Sequence, residues 1–218
     1  MFVAMRPFLA LVIAFPLLAT GALHVFGFTW TVPDAADWKI GSDDGSSVLH
    51  LLVGKEPPAN VPRRPMQFAI ANTRDFHAVR IDADVRPLGH SLMIVFAYRD
   101  AEHFNYAHMS IDTAVQQPHH NGIFHVYGGE RVRISSEQGP QTFAQSNRWY
   151  HVALNWHGAT GEVNVQVNGT DVPALHAVDL SLRSGKVGLG SFDETGDFKN
   201  VRITGPPMAN LQFERRAN

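Results

Sequence analysis

Residues 148–169, RWYHVALNWHGATGEVNVQVNG, decide the fold class. In Trp149–His157 apolar side chains alternate with mostly polar ones, and Glu162–Asn168 repeats the pattern with three valines on one side. Such alternation places successive side chains on opposite faces of a strand. Gly158–Gly161 separates the two runs, and Asn168-Gly169, which ends the second, is a strong hairpin signal. The stretch therefore predicts antiparallel strands with one buried and one solvated face.

The same pattern extends in both directions along the chain. Phe76–Arg86 alternates between apolar and charged residues, and Ser91–Tyr98 is apolar on both faces, which predicts a central strand. Further predicted strands are Val48–Val53, Met66–Ala71, Phe104–Ile111, Ile123–Tyr127, Arg131–Ser136, Lys186–Ser191 and Phe198–Thr204. Many short strands without a long amphipathic helix predict an all-β fold, a two-sheet antiparallel sandwich or jelly roll over residues 28–205.

Composition excludes several function classes. The chain has 218 residues, of which 44% are hydrophobic and 17% charged, so it can bury a core. It contains no cysteine, which excludes thiolate catalysis, zinc-finger sites and iron–sulfur clusters. The net charge is -2, from 18 basic and 20 acidic residues. This balance argues against a nucleic-acid partner, because such binding needs Lys and Arg to neutralise phosphates.

The first 27 residues are predicted to be a signal peptide. Arg6 precedes an apolar run, Phe8–Leu18, and small residues follow it. An uncleaved membrane anchor is the alternative, although the run is short for about 30 Å of hydrocarbon and Pro16 interrupts it. The prediction is a secreted or periplasmic protein with no membrane span after cleavage. Residues 206–218 are predicted to be a flexible tail; the sequence leaves the cleavage position and the oligomeric state open.

Three stretches carry a family resemblance: FAYRDAEHFNYAHMS (96–110), the hairpin region 148–169, and GKVGLGSFDETGDFKNVRITG (185–205). Together they resemble the concanavalin A-like lectin/glucanase jelly rolls, especially laminin-G-like and 3-keto-disaccharide hydrolase-like domains. The resemblance implies a carbohydrate-related role, as a lectin, glycosidase, polysaccharide lyase or adhesion module. The Glu-x-Asp-x-x-Glu motif of the laminarinase-type glucanases is absent, and Gly190–Asp193 lacks the histidine that the hydrolase-like domains imply there.

The candidate site lies in the middle of the chain. Alternation in Phe104–Ile111 puts Phe104, Tyr106, His108 and Ser110 on one face, a natural lining for a sugar groove. The predicted catalytic residues are His108 and His119 as acid or base and Tyr106 as proton donor, with Asp193 and Glu194 as alternative acids. The predicted substrate-binding residues are Arg99, Phe104, His120, Asn121, His125 and Arg131. The alternative is that Tyr106 and His108 only complete a sheet face and that His119-His120 is a solvated loop.

Cofactors and metals are not predicted, apart from a structural Ca²⁺. The histidines lack the spacings of zinc proteases and cupins. Ser191–Asp197 offers Asp193, Glu194 and Asp197, the oxygen ligands that Ca²⁺ favours, and an acidic exposed turn is the alternative. Asp82 and Asp84 have the spacing of paired carboxylates, but Arg80 and Arg86 flank them, which favours a ladder of opposite charges on a sheet face.

Two functions from different classes follow. The first is an exported carbohydrate-active domain that hydrolyses or eliminates a saccharide or polysaccharide in a groove on the concave sheet, as a glycoside hydrolase or polysaccharide lyase. The second is a non-catalytic carbohydrate-binding or adhesion module that uses the same groove for affinity alone. An extracytoplasmic structural domain is a third, weaker interpretation. The sequence does not identify the sugar or the linkage.

Overall fold

The structure, a computed structural model, describes residues 21–112 and 115–206. In this part of the chain, fifteen strands numbered in chain order form two antiparallel sheets. The front sheet contains, in spatial order, β1 (Gly21–Val25), β2 (Phe28–Val32), β5 (Gln67–Ala71), β14 (Lys186–Ser191), β7 (Ser91–Asp100), β8 (His103–Ser110), β9 (Gly122–Tyr127) and β10 (Val132–Arg133). The back sheet contains β13 (Thr170–Val178), β12 (Glu162–Val167), β11 (Tyr150–His157), β6 (Ala78–Pro87), β15 (Gly196–Thr204), β4 (Ser46–Leu51) and β3 (Trp38–Asp43).

The main core lies between the two sheets. Along β11 the side chains of Val152, Leu154 and Trp156 are buried in it, and register pairs Leu154 with Ile81 and Trp156 with Val79 of β6. On the other face of β6, Arg80 binds Asp82, with 2.6 Å between Nη2 and Oδ1. The alternation read from the sequence therefore sorts apolar residues inward and charged residues outward. The predicted all-β two-sheet sandwich is confirmed.

A second apolar cluster covers the outer face of the front sheet. It explains why β7 is apolar on both faces, since Leu92, Ile94 and Phe96 face the main core while Met93 and Val95 face outward. The cluster consists of Phe68, Ile70, Met93, Val95, Phe104, Tyr106, Phe124, Val126 and Phe192. Any site on this sheet is built on or beside that layer.

Four strands were not predicted from the sequence. The strand β1 lies within the segment predicted as signal peptide, so a strand is present before the predicted domain start at residue 28. Because the apolar residues of β1 continue the apolar run of the predicted signal peptide, the sequence does not show where the strand begins. The strand β13 contains Pro173 and lies at the edge of the back sheet, where a missing N–H is tolerated. The others, β2 and β3, are short. Residues 1–20 and 207–218, with most of the predicted signal and tail, lie outside the described residues.

Two short helical segments accompany the sheets, a 3₁₀ turn at Ala35–Asp37 and α1 at Gln117–His120. The helix α1 connects β8 to β9, and it replaces the loop predicted for His119-His120. Within residues 21–112 and 115–206, no helix is both long and apolar enough to cross a bilayer.

Candidate functional site

The predicted groove along β8 is filled by protein. Tyr106 and His108 point outward from the front sheet, yet they are only 0% and 1% exposed. The ring of Phe192 stacks on His108 at 6.1 Å, and the Arg131 guanidinium lies 4.4 Å from the centre of the Phe192 ring. We call this region, the outer face of β8 and β9 beneath Phe192 and Arg131, the covered half of the front sheet.

Polar groups in the covered half bind one another. Arg131 Nη1 lies 3.4 Å from Tyr106 Oη and 3.4 Å from His108 Nδ1, while His108 Nε2 lies 2.9 Å from Ser91 Oγ. Burial, reinforced by the Arg131 charge, holds the pKa of His108 well below its ordinary value, and burial raises the pKa of Tyr106. His108 is therefore a neutral imidazole with both nitrogens engaged. Its predicted role as acid or base, like that of Tyr106, stays a prediction.

Three histidines, His90, His119 and His120, are exposed or half-buried at the end of the front sheet next to His108. We call this group the histidine end. The buried carboxylate of Asp112 lies 2.7 Å from His120 Nδ1 and 3.1 Å from His90 Nδ1. The hydrogen bond to Asp112, aided by the Glu194 charge, raises the pKa of His90. His119 is exposed, with its ring 6.4 Å from that of His120. The oriented imidazole is thus that of His120 rather than His119.

Two further predicted residues take part in other contacts. Asn121 is buried and donates a 2.9 Å hydrogen bond to the carbonyl of Pro140, so it holds the loop that follows β10. His125 lies on the face of β9 opposite Phe124, where its Nδ1 is 2.8 Å from Asn105 Oδ1 and 3.2 Å from Asp179 Oδ2. The His125 side chain therefore lies outside the covered half.

The acidic loop after β14 is tied to the rest of the protein by its carboxylates. Glu194 accepts hydrogen bonds from the backbone N–H groups of His90 and Ser91. Asp197 is buried between Arg86 Nη2 and His50 Nδ1, each 2.6 Å away. Asp193 is half-buried. Among the residues that the structure describes, no three His, Asp or Glu side chains form a group that could hold a metal ion. Ca²⁺ at this loop stays a prediction from sequence.

An open cavity of about 610 Å³ lies on the other part of the same sheet face, over β2, β5, β14 and the end of β7. The rings of Phe68 and Tyr98, 5.6 Å apart and nearly perpendicular, form part of its floor. Of the predicted residues, Arg99 lines this cavity, and Phe104 supports the floor with its ring 5.2 Å from that of Phe68. The cavity is lined by Thr31, Val32, Pro33, Phe68, Ile70, Asp75, Tyr98, Arg99, Ser184 and Lys186.

A β-bulge directs Tyr98 into the open cavity. Ala97 has a φ of 51°, and both Phe96 and Ala97 are buried in the core between the sheets. Tyr98 therefore changes face relative to strict alternation and lies opposite Lys186 in register. Gly185 permits the close approach, because a Cβ there would lie 2.6 Å from Tyr98 N and 2.7 Å from Ala97 O. Phe68, Tyr98 and Lys186 were not predicted as site residues, and nothing in the apolar sequence of β7 reveals the bulge.

Most of the predicted site residues lie at two separate places, while Asn121, His125, Asp193 and Glu194 occupy the other positions described above. Ser91, which contacts His108, begins β7, and Arg99 lies at its other end. Eight residues of extended strand separate them by roughly 26 Å at about 3.3 Å per residue. Arg99 belongs to the open cavity, whereas Tyr106, His108, Arg131 and the histidine end lie together at the opposite end.

Comparisons with known proteins identify the fold. No protein-family model matches the chain, and no curated protein matches it. A carbohydrate-binding module, CBM66, from Bacillus subtilis is similar with a TM-score of 0.55 and 16% identity over 81% of this chain and 95% of that one. A putative glycosyl hydrolase from Parabacteroides distasonis gives a TM-score of 0.52 and 14% identity, over 79% and 92% of the chains. The chain has the concanavalin A-like jelly-roll fold.

Proposed function

We propose that this domain binds a saccharide in the open cavity on its front sheet. The observation that carries the proposal is an open volume of about 610 Å³ with the rings of Phe68 and Tyr98 at its floor and polar groups around it. Aromatic rings pack on the apolar faces of pyranoses, while nearby polar groups fix the hydroxyls. The volume is within the range of small-molecule sites.

The fold comparisons support this proposal. The CBM66 neighbour is by its title a carbohydrate-binding module, and two neighbours are by their titles putative glycosyl hydrolases. A role outside the cytoplasm accords with the predicted signal peptide and belongs to the same proposal. Non-catalytic binding is favoured over turnover at the cavity because Asp75 is the only carboxylate among its described lining residues. A glycosidase of the common kind uses two.

The test is titration calorimetry of the protein against a panel of soluble oligosaccharides, with Tyr98→Ala as the variant. Loss of the stacking platform should weaken binding about fivefold or more, in line with about 1 kcal/mol or more for an aromatic contact. Tyr127→Ala is the matched control, because Tyr127 is an exposed tyrosine on β9 that does not line the cavity. Failure of every oligosaccharide to bind, or equal affinity of Tyr98→Ala and the wild type, would contradict the proposal.

Catalysis at the histidine end is a second candidate, and one observation favours it. Asp112 is buried and holds His120 Nδ1 at 2.7 Å, an arrangement that orients an imidazole and leaves Nε2 for proton transfer. In this candidate His120 transfers a proton to or from a saccharide during hydrolysis or β-elimination.

Its test measures reducing ends and the absorbance of unsaturated uronates over a polysaccharide panel. His120→Gln should lower turnover at least 100-fold, as expected for loss of general acid–base catalysis worth about 10²–10⁴. His119→Gln, a change at an exposed neighbour of His120, should keep it. Absence of turnover in the wild type, or equal turnover in both variants, removes this candidate and leaves the binding function standing.

A further inference from the structure

Two cationic side chains at the open cavity have no partner in the described part of the chain. Arg99 is exposed and Lys186 is half-buried, and neither forms a hydrogen bond or ion pair with a described residue. Some cations elsewhere in the described chain are paired with carboxylates. Lys199 Nζ lies 3.0 Å from Asp43, and Arg86 Nη2 lies 2.6 Å from Asp197. The two charges at the cavity therefore remain available to a ligand.

The rest of the lining is polar but carries a single opposing charge. Asp75 is exposed and forms no ion pair with either cation among the described residues. Two cations and one carboxylate give the lining a net charge of +1. Asp75, with the side-chain hydroxyls of Thr31 and Ser184, provides acceptors and donors for ligand hydroxyls. The lining thus suits a ligand that carries both an anionic group and hydroxyls.

We propose that the open cavity is selective for acidic saccharides, with the carboxylate of a uronate residue held between Arg99 and Lys186. This inference rests on the proposed function, since it names the class of sugar that the same cavity takes. The planar guanidinium of Arg99 can bind the carboxylate through two parallel hydrogen bonds, and Lys186 adds a compact positive charge.

Register places the charge next to the aromatic floor. Lys186 lies opposite Tyr98, and Arg99 follows Tyr98 at the end of β7. A pyranose ring packed on Tyr98 would therefore hold its carboxylate within reach of both cations. Because the groups are exposed or half-buried, added salt screens the attraction, with a Debye length of about 10 Å at 0.1 M falling to about 3 Å at 1 M.

The experiment compares charged and neutral forms of the same sugars. Trimers of galacturonate, glucuronate and mannuronate are titrated into the full chain beside their methyl esters, which keep the rings and remove the charge. Arg99→Gln and Lys186→Gln test the two cations. Arg183→Gln is the control, because Arg183 is an exposed cation near β14 that does not line the cavity.

At least one acid trimer should bind tenfold or more tightly than its ester. That preference should fall about fivefold in each cavity variant and stay unchanged in Arg183→Gln. Raising NaCl from 0.1 M to 1 M should weaken the acid and leave the ester unchanged. If neutral sugars bind with a dependence on Tyr98 but no acid binds more tightly than its ester, this inference is overturned while the proposed function stands. If no saccharide of either kind binds, both are overturned.

Discussion

The covered half and the open cavity occupy the same face of the same sheet and differ in what lies above them. Tyr106 in the covered half and Tyr98 in the cavity are both aromatic residues of this face, packed against Phe104 at 6.0 Å between ring centres in each case. Tyr106 is fully buried, whereas Tyr98 is half-buried and lines the cavity. Alternation directs Tyr106 outward and the bulge at Ala97 directs Tyr98 outward, but distant loops decide whether the face around each residue becomes a core or a site.

The cover of the covered half comes from three distant parts of the chain. Arg63, on the proline-rich loop before β5, places its guanidinium 5.0 Å from the centre of the Phe192 ring. Phe192 follows β14, and Arg131 precedes β10. The backbone N–H of Arg131 donates to the carbonyl of Arg63 at 3.1 Å, which links two of these parts. Over β5 and the start of β14 the face is open, and the cavity remains.

The largest effect is expected on protein stability, when each of the two tyrosines is replaced by alanine. Tyr106→Ala removes a fully buried ring, so we expect the free energy of unfolding to fall by about 3–5 kcal/mol. Tyr98→Ala removes a half-buried ring and should cost about 1–2 kcal/mol. Urea denaturation of both variants measures the difference. Equal losses would mean that the two regions are equally covered.

A smaller effect is expected where Gly185 lets β14 approach the bulge. Gly185→Ala places a Cβ 2.6 Å from Tyr98 N, so backbone displacement should lower the free energy of unfolding by about 1–3 kcal/mol and weaken saccharide binding. Gly129→Ala is the control, because a Cβ at Gly129 meets nothing within 4 Å. Unchanged binding in Gly185→Ala would show that the bulge does not position Tyr98 for the ligand.

The smallest effect is expected in the pH dependence of the free energy of unfolding. The pKa of His108 is lowered in the folded protein from its ordinary 6.5, so below pH 6.5 the unfolded chain binds a proton that the folded one does not. His108 thus favours the folded state above pH 6.5 and loses about 1.4 kcal/mol per pH unit as the pH falls below it. In urea denaturation at pH 7.5, 6.0 and 5.0, the free energy of unfolding of His108→Gln should fall less steeply with decreasing pH than that of the wild type. Identical slopes would contradict a sealed, neutral His108.

The fold was predictable where periodicity alone determines burial. Val152, Leu154 and Trp156 alternate in the sequence and are all buried between the sheets, as expected. The strand β13 was not predicted because it contains Pro173. The strand β1 was not predicted because its apolar residues continue the preceding apolar run, so no change in composition marks its start.

The site was only partly predictable. The outward direction of Tyr106 and His108 follows from alternation, but their burial depends on Phe192 and Arg131, which lie far along the chain. Strict alternation would place Tyr98 on the same face as Phe96. It lies on the opposite face because Ala97 has a positive φ, which no local sequence pattern predicts. His120 was a candidate, whereas its partner Asp112 was not, since no sequence pattern indicates that the two side chains lie 2.7 Å apart.

Chemical-shift mapping distinguishes directly between a ligand bound at the open cavity and a ligand bound on the covered half. A ¹⁵N-labelled protein is titrated with the tightest-binding oligosaccharide of the panel, and amide shifts are followed residue by residue. The largest shifts are expected on Ile70, Tyr98, Arg99 and Lys186. Shifts confined to His120 and Gly122–Tyr127 would contradict it.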